Sequence, residues 1–118
     1  MDEDIFFPAW WEDYQKKAAS FMLPTENVSS GLCFAVLALN GEAGEVAEKV
    51  KKAMRDAAGC ISQQKREEIL LELSDVLWAL NQCVVELNCD LHTLAKMNIA
   101  KLEGRKERGV LQGEGDSR

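Results

Sequence analysis

The sequence contains few of the residues that interrupt helices or hold zinc. Its 118 residues include two prolines, both in the first quarter, and a single histidine, His92. None of the four cysteines has C-x-x-C spacing, and one histidine cannot complete a zinc set. We interpret the cysteines as reduced thiols of a cytoplasmic protein. No basic N-terminal region precedes an apolar stretch, and no apolar run approaches the roughly 20 residues of a membrane span. We therefore expect neither a secretory signal nor a membrane segment.

Positive charge is also scarce. Lysine and arginine number 14 against 20 aspartates and glutamates, which gives a formal net charge of −6. An acidic surface repels phosphate backbones, so duplex nucleic acid is excluded as an expected partner. A small polyanion would need a metal ion or a local basic cluster to offset this charge.

Helix-forming residues dominate the rest of the chain. Alanine, leucine, glutamate and lysine are frequent, and β-branched residues never alternate over the length of a strand. Apolar residues recur at three- and four-residue spacing, which is typical of amphipathic helices. The pattern predicts one all-α domain over residues 1–118, with a flexible tail at 109–118. The predicted helices span about residues 10–22, 31–56, 63–87 and 91–107.

The two long central helices are expected to pack as an antiparallel hairpin, which is the simplest arrangement for two such helices in a chain of this size. Ser62 and Asp90 can cap the third and fourth helices. Trp78 and Ala79 fall off the main apolar stripe of the third helix. A second buried interface would explain this, and it predicts a homo-oligomer, with a dimer as the simplest symmetric form.

Carboxylates occur in two pairs on these central helices. Glu42 and Glu45 are three residues apart on the second helix, and Glu72 and Asp75 are three apart on the third. Residues at this spacing share a helix face, so an antiparallel hairpin would bring the four groups together. A divalent cation would relieve their repulsion, and oxygen ligands favour Mg²⁺ or Mn²⁺ over zinc. The alternative is a solvated, salt-bridged acidic face.

Two glycines, Gly41 and Gly44, interrupt the second helix beside these glutamates. Glycine in a helix interior costs about 1 kcal/mol against alanine. The two glycines therefore indicate either a ligand close to the backbone or close packing against another helix.

The carboxylate motifs resemble those of a known family. Residues 41–46 read GEAGEV, and residues 72–78 read ELSDVLW. They resemble the E-x-x-E and E-x-x-D signature of MazG-like nucleotide pyrophosphohydrolases. The end of the chain, from Asn98 to Arg118, is similar to the end of small stand-alone members. The resemblance extends from about residue 32 to 118. The chain departs from the pattern at Gly41, where many members carry a second glutamate, and Glu48 is a substitute candidate.

The resemblance implies a four-helix MazG-like bundle, completed by oligomerisation as a dimer or as a tetramer of two dimers. It implies Mg²⁺-dependent hydrolysis of nucleoside triphosphates between the α and β phosphates, with Mn²⁺ as a substitute ion. The products would be a nucleoside monophosphate and pyrophosphate. Deoxynucleotides are the expected substrates, because compact members often act on them, and the role would be nucleotide pool house-cleaning. The implied metal ligands are Glu42, Glu45, Glu72 and Asp75, and Glu42 or Glu45 would activate the water.

Other side chains are candidates for substrate contacts. Lys49 and Lys52 follow Glu45 by one and two helical turns. Lysine and arginine suit phosphate oxygens, an aromatic ring can stack on a base, and an amide can contact sugar or base. The expected substrate-binding residues are Lys52, Trp78, Asn81, Asn98, Lys101 and Arg105. Each also has an ordinary structural interpretation as a solvated charge, a core ring or an interhelical hydrogen bond.

Two other functions remain open at this point. A phosphoribosyl-ATP pyrophosphohydrolase of histidine synthesis shares the helical architecture, and substrate competition distinguishes it. A non-catalytic helical module could use its acidic face to bind a partner. Such a module would show no metal-dependent turnover, and Glu42→Gln or Asp75→Asn would be neutral or stabilising.

Overall fold

Four α-helices and no strand make up the described part of the chain. The computed structural model describes residues 10–23 and 28–118. The helices are α1 (Trp10–Ala19), α2 (Val28–Ala57), α3 (Gln63–Glu86) and α4 (Leu91–Glu107). The predicted all-α fold is confirmed. Among the described residues, no helix is both long enough and apolar enough to span a membrane.

An antiparallel hairpin of α2 and α3 is the centre of the fold. As the chain advances from Glu42 to Lys49 on α2, the neighbouring residues on α3 move back from Asp75 to Glu68. A short connection joins the helices, and Gly59 adopts a φ of +79°, which favours glycine. Ser62 then caps α3 as predicted, because its side chain accepts a hydrogen bond from the Lys65 amide at 3.1 Å.

Small side chains fill much of the buried space. Ala35 and Ala53 on α2 are almost fully buried, as is Ala79 on α3. Small residues allow two helix backbones to approach closely, so α2 and α3 can pack tightly along their length. Large apolar side chains nevertheless remain open to solvent in the single chain: Leu37 on α2 is 71% exposed and Leu71 on α3 is 69% exposed.

The first helix packs on α3 through two side-chain hydrogen bonds. Trp78 Nε1 donates to the Ala18 carbonyl at 3.0 Å, and Asn81 Nδ2 donates to the Gln15 carbonyl at 3.3 Å. The helix α1 ends at Ala19 rather than at residue 22. The next amides bond to carbonyls three residues back, which tightens the chain into turns. At the next helix, α2 begins three residues earlier than the predicted residue 31.

The last helix contacts α3 over a small area and is largely exposed. Asp90 caps it as predicted, with Oδ1 accepting from the Thr93 amide at 2.7 Å. Beyond α4 the chain turns back, and the Asp116 carboxylate accepts hydrogen bonds from Arg105 at 3.0 Å and Lys101 at 3.3 Å. Both bonds lower the pKa of Asp116. The flexibility of residues 109–118 stays a prediction. Motion of this tail would have to break the two hydrogen bonds to Asp116.

Replacement of Trp78 tests the attachment of α1 to α3. Trp78→Phe keeps an aromatic ring but removes the Nε1 donor, so the free energy of unfolding should fall by about 1 kcal/mol. Urea unfolding measures it. The control is Ser74→Ala, because the Ser74 hydroxyl bonds only to the exposed Leu71 carbonyl of its own helix. Equal stability of the two variants would show that the indole bond contributes nothing net.

Candidate metal centre

Three carboxylates from α2 and α3 converge in the middle of the hairpin. One oxygen from each of Glu42, Glu72 and Asp75 lies within 4.8 Å of the other two. Glu42 and Glu72 are half-buried, whereas Asp75 is exposed. The i, i+3 spacing on α3 places Glu72 and Asp75 on one face, and the antiparallel hairpin brings Glu42 opposite them. The structure therefore brings together three of the four predicted ligands.

Glu45, the fourth predicted ligand, lies outside this group of three and is exposed. Its charge still acts on the group. The pKa of Glu42 is raised, first by desolvation and then by the negative charges of Asp75, Glu72 and Glu45. Burial and like charges both disfavour a carboxylate, so the group carries repulsion that a cation would relieve.

The donor set fits a hard divalent ion. All three converging groups supply oxygen, and neither cysteine nor histidine belongs to the cluster. Mg²⁺ and Mn²⁺ prefer such ligands, and binding one would relieve the repulsion among three carboxylates of which two are half-buried. Glu42, Glu72 and Asp75 would hold the ion, with Glu45 one helical turn away.

The backbone beside the carboxylates is open. A Cβ atom added at Gly41 or at Gly44 would meet nothing within 4 Å. Close packing against another helix of the described residues 10–23 and 28–118 therefore does not explain the two glycines. The remaining explanation is that a ligand or a second copy of the chain approaches the backbone closely at these two glycines.

A row of cations continues from the carboxylates toward the turn between α2 and α3. Lys49 Nζ lies 3.9 Å from the Glu68 carboxylate and 4.0 Å from that of Glu72. Lys65 Nζ pairs with Glu68 at 2.6 Å. The sequence analysis missed Glu68 and Lys65. Glu68 precedes Asp75 by seven residues, close to two turns, and so shares its helix face, which was the available signal.

Lys52 lies on the same side of α2 and is exposed. Its Nζ is 4.0 Å from the Glu48 carboxylate. It lines a cavity of about 350 Å³ at the turn between α2 and α3, together with Lys65 from α3.

Trp78 and Asn81 contact α1 rather than open space. Their side-chain nitrogens are bound to α1 carbonyls, and Asn81 is fully buried. Within the part of the chain that the structure describes, the neighbouring buried atoms Asn81 Oδ1 and Gln82 Nε2 lack a hydrogen-bond partner. An unpaired buried polar atom costs about 1–3 kcal/mol, so a further polar group that bonded to either atom between α1 and α3 would be stabilising.

The predicted contacts on α4 lie apart from the carboxylates. Asn98 and Lys101 line a cavity of about 410 Å³ with Leu94 and Met97. Arg105 and Lys101 bind the tail through Asp116. Within one chain, the structure shows no contact between these residues and the three carboxylates.

Comparisons with known proteins identify the family of this chain. Residues 34–110 match the family model described as the MazG nucleotide pyrophosphohydrolase domain. The chain belongs to this family. It is also 47% identical over 88 residues to "Gene 37 protein" of Mycobacterium phage L5, which covers 75% of this chain and 77% of the phage protein. No solved structure gave a significant match. The matched MazG domain contains the three converging carboxylates and Glu45.

Replacement of Glu42 tests the repulsion in the cluster. Because folding raises the pKa of Glu42, the native state binds the proton more tightly than the unfolded state. Ionised Glu42 therefore destabilises the fold, and this effect is complete at pH values where the carboxyl is ionised in both the native and the unfolded state. The effect decreases as the pH falls through the raised pKa, and it is gone below the ordinary pKa of 4.5. In EDTA at about pH 7, Glu42→Gln should therefore raise the free energy of unfolding by roughly 0.5 kcal/mol. At about pH 3.5 the difference should vanish.

Urea unfolding at both pH values measures this, and Glu48→Gln is the matched control. The pKa of Glu48 is lowered, chiefly by its 2.6 Å hydrogen bond from Lys51. Its replacement removes an attraction and should not stabilise the chain at neutral pH. A Glu42→Gln variant less stable than the wild type at pH 7 would contradict the assigned repulsion.

Proposed function

We propose that this MazG-family chain is a Mg²⁺-dependent nucleoside triphosphate pyrophosphohydrolase that prefers deoxynucleotides. It cleaves between the α and β phosphates and releases a nucleoside monophosphate and pyrophosphate, as nucleotide pool house-cleaning in the cytoplasm. The observation that carries the proposal is the convergence of Glu42, Glu72 and Asp75 in the groove between α2 and α3. Mn²⁺ is the expected substitute ion, since it takes the same oxygen ligands.

Glu42, Glu72 and Asp75 hold the metal in this proposal, and Glu45 completes or supports the set. A bound ion would offset the charge of the triphosphate and favour ionisation of the attacking water. Glu45 lies outside the group of three, so it is the carboxylate best placed to orient the water and accept its proton. Glu42 is the second candidate for this role. Water attacks the α phosphorus, and the bond to the bridging oxygen breaks as pyrophosphate leaves.

The nucleoside is proposed to lie on the side of Asp75 that faces α1. Trp78 follows Asp75 by one turn, and Asn81 lies about 9 Å beyond Asp75 along the axis of α3. A ring and an amide at that distance suit a base and its sugar. Support comes from the unpaired Asn81 Oδ1, an acceptor for a polar group that enters between α1 and α3. Entry requires α1 to shift, because Asn81 is fully buried.

The active assembly is proposed to be a homo-oligomer, a dimer or a tetramer of two dimers. Large apolar side chains on the central helices are exposed, including Leu37 and Leu71. Burial of such surface contributes about 25 cal/mol per Å². In an assembly, Asn98, Lys101 and Arg105 of α4 would meet the substrate of a neighbouring copy, with phosphate oxygens replacing the Asp116 carboxylate.

Product analysis with the eight common ribo- and deoxyribonucleoside triphosphates tests the activity. Monophosphate and pyrophosphate should form with Mg²⁺ and not with EDTA, and faster from deoxynucleotides. Glu45→Gln and Asp75→Asn should each lower the rate at least about a hundredfold, as expected for loss of a base or a ligand. Glu48→Gln is the control, because Glu48 pairs with Lys51 and Lys52 instead of joining the cluster.

Three results would contradict parts of this proposal. Nucleoside diphosphate and phosphate as products would place the cleavage elsewhere. Exclusive turnover of phosphoribosyl-ATP would assign the other pyrophosphohydrolase activity. Failure to hydrolyse any triphosphate, together with no heat of Mg²⁺ binding, would favour a partner-binding module.

The oligomeric state is tested separately by size-exclusion chromatography with light scattering. The wild type should elute at twice or four times the chain mass of 13.2 kDa. Leu37→Glu should shift it toward a smaller species, because a charge cannot be buried at an apolar interface without a partner. A folded wild-type monomer at micromolar concentration would contradict the proposed assembly.

A further inference from the structure

We infer that the substrate binds in the groove between α2 and α3 in one orientation, its polarity, with the phosphate chain running toward the turn that joins the two helices. Lys49 contacts the leaving pyrophosphate, and Lys52 and Lys65 contact its far end. This assignment rests on the proposed function, and it deepens that function by naming which side of the carboxylates receives the polyanion.

The distribution of cations on the two helices is one-sided. Between residues 28 and 41, before Glu42, α2 has no lysine or arginine, and α3 has none between residues 76 and 86, after Asp75. All basic residues of the two helices lie on the other side of the carboxylates: Lys49, Lys51, Lys52, Arg55, Lys65 and Arg66. A nucleoside triphosphate carries its negative charge at the phosphate end, so the one-sided cations favour binding with that end toward the turn.

Helix periodicity places one of these cations on the carboxylate face and two at its edge. Lys49 and Lys52 follow Glu42 by seven and ten residues, and Lys65 precedes Asp75 by ten. Seven residues are close to two turns at 3.6 residues each, so Lys49 shares the face of Glu42. Ten residues fall about 80° short of three turns, so Lys52 and Lys65 lie at the edge of the carboxylate face, where both line the cavity at the turn. Lys51 is nine residues after Glu42 and points to the opposite side.

Lys49 stands at the boundary between the carboxylates and the cations. Its ammonium group lies between Glu68 and Glu72 at 3.9 and 4.0 Å, distances at the outer limit of an ion pair. Glu72 is itself one of the three converging carboxylates. Loose pairs of this kind contribute little, so the ammonium group can move to a phosphate oxygen at small cost. Metal binding at Glu72 would further weaken the hold of that carboxylate on Lys49.

The cavity of about 350 Å³ at the turn provides the space for the end of the phosphate chain. Lys52 enters it from α2, Lys65 enters it from α3, and Ser62 borders it. Asp56 also lines the cavity, but Arg55 binds its carboxylate at 2.6 and 2.8 Å and offsets its charge. Along the axis of α3, the backbone of Lys65 lies about 10 Å from that of Glu72, and the long side chains of Lys49 and Lys65 can reach into the space between.

The opposite side of the carboxylates offers different chemistry. Trp78, Asn81 and Gln82 provide an aromatic ring and amides, with two buried polar atoms unpaired. These groups suit an uncharged base and sugar, and they would leave phosphate charge uncompensated.

Calorimetric titration of the full-length protein in Mg²⁺ tests this polarity with the two halves of the product, inorganic pyrophosphate and a deoxynucleoside monophosphate. Lys49→Ala and Lys65→Ala should each weaken pyrophosphate binding about tenfold, as expected for loss of one charge-assisted hydrogen bond. Monophosphate binding should change less than about twofold. Lys51→Ala is the matched control and should alter neither constant, since it removes a lysine of the same helix that points away from the groove.

Folding defects are separated by Lys65→Arg, which keeps the charge and the pair with Glu68. This variant should retain pyrophosphate binding, and all variants should keep the melting temperature of the wild type within a few degrees. Weaker monophosphate binding with unchanged pyrophosphate binding would reverse the polarity and overturn the inference. Unchanged binding of both products, or a wild type that binds no pyrophosphate, would also overturn it.

Failure of the proposed function gives a different result. A wild type that binds pyrophosphate in a Lys49- and Lys65-dependent manner, yet hydrolyses no triphosphate, would support the anion site and refute the proposed reaction.

Discussion

Antiparallel packing of α2 against α3 is the contact on which the other features depend. Small buried residues such as Ala53 and Ala79 let the two helices lie close together, and the turn at Gly59 sets their direction. This register places Glu42 opposite Glu72 and Asp75, and Lys49 opposite Glu68. A shift of one turn would pair a different set of side chains and disperse the carboxylates. The convergence of the three carboxylates therefore follows from helix packing rather than from any single motif.

Charge along the groove changes sign over a short distance. The chain carries a net charge of −6, yet the stretch between the carboxylates and the hairpin turn is lined by lysines from both helices. In the proposed function, this arrangement would let an acidic protein bind a metal ion at one point and a polyanion beside it. The raised pKa of Glu42 shows that the carboxylates gather at an energetic cost, which is common where a site is shaped for a ligand.

Much of the fold could be predicted from the sequence because its determinants are local. Three- and four-residue spacing predicted the helices, and Ser62 and Asp90 cap α3 and α4 through their own side chains. The convergence of Glu42, Glu72 and Asp75 could also be predicted, since i, i+3 spacing and an antiparallel hairpin suffice. The helix ends near residues 19 and 28 differed, because the turns after α1 and the start of α2 carry weaker local signals.

The sequence by itself determined the helices, their caps and the face of each helix that carries carboxylates or lysines, because these depend on residues within a few positions of one another. Only the tertiary structure decided which of the other candidate side chains meet one another and which do not. It left Glu45 outside the group of three, bound Trp78 and Asn81 to α1, and joined Lys101 and Arg105 to Asp116. Such contacts depend on how far one helix is rotated and shifted against another, and side-chain spacing along a single helix does not determine either.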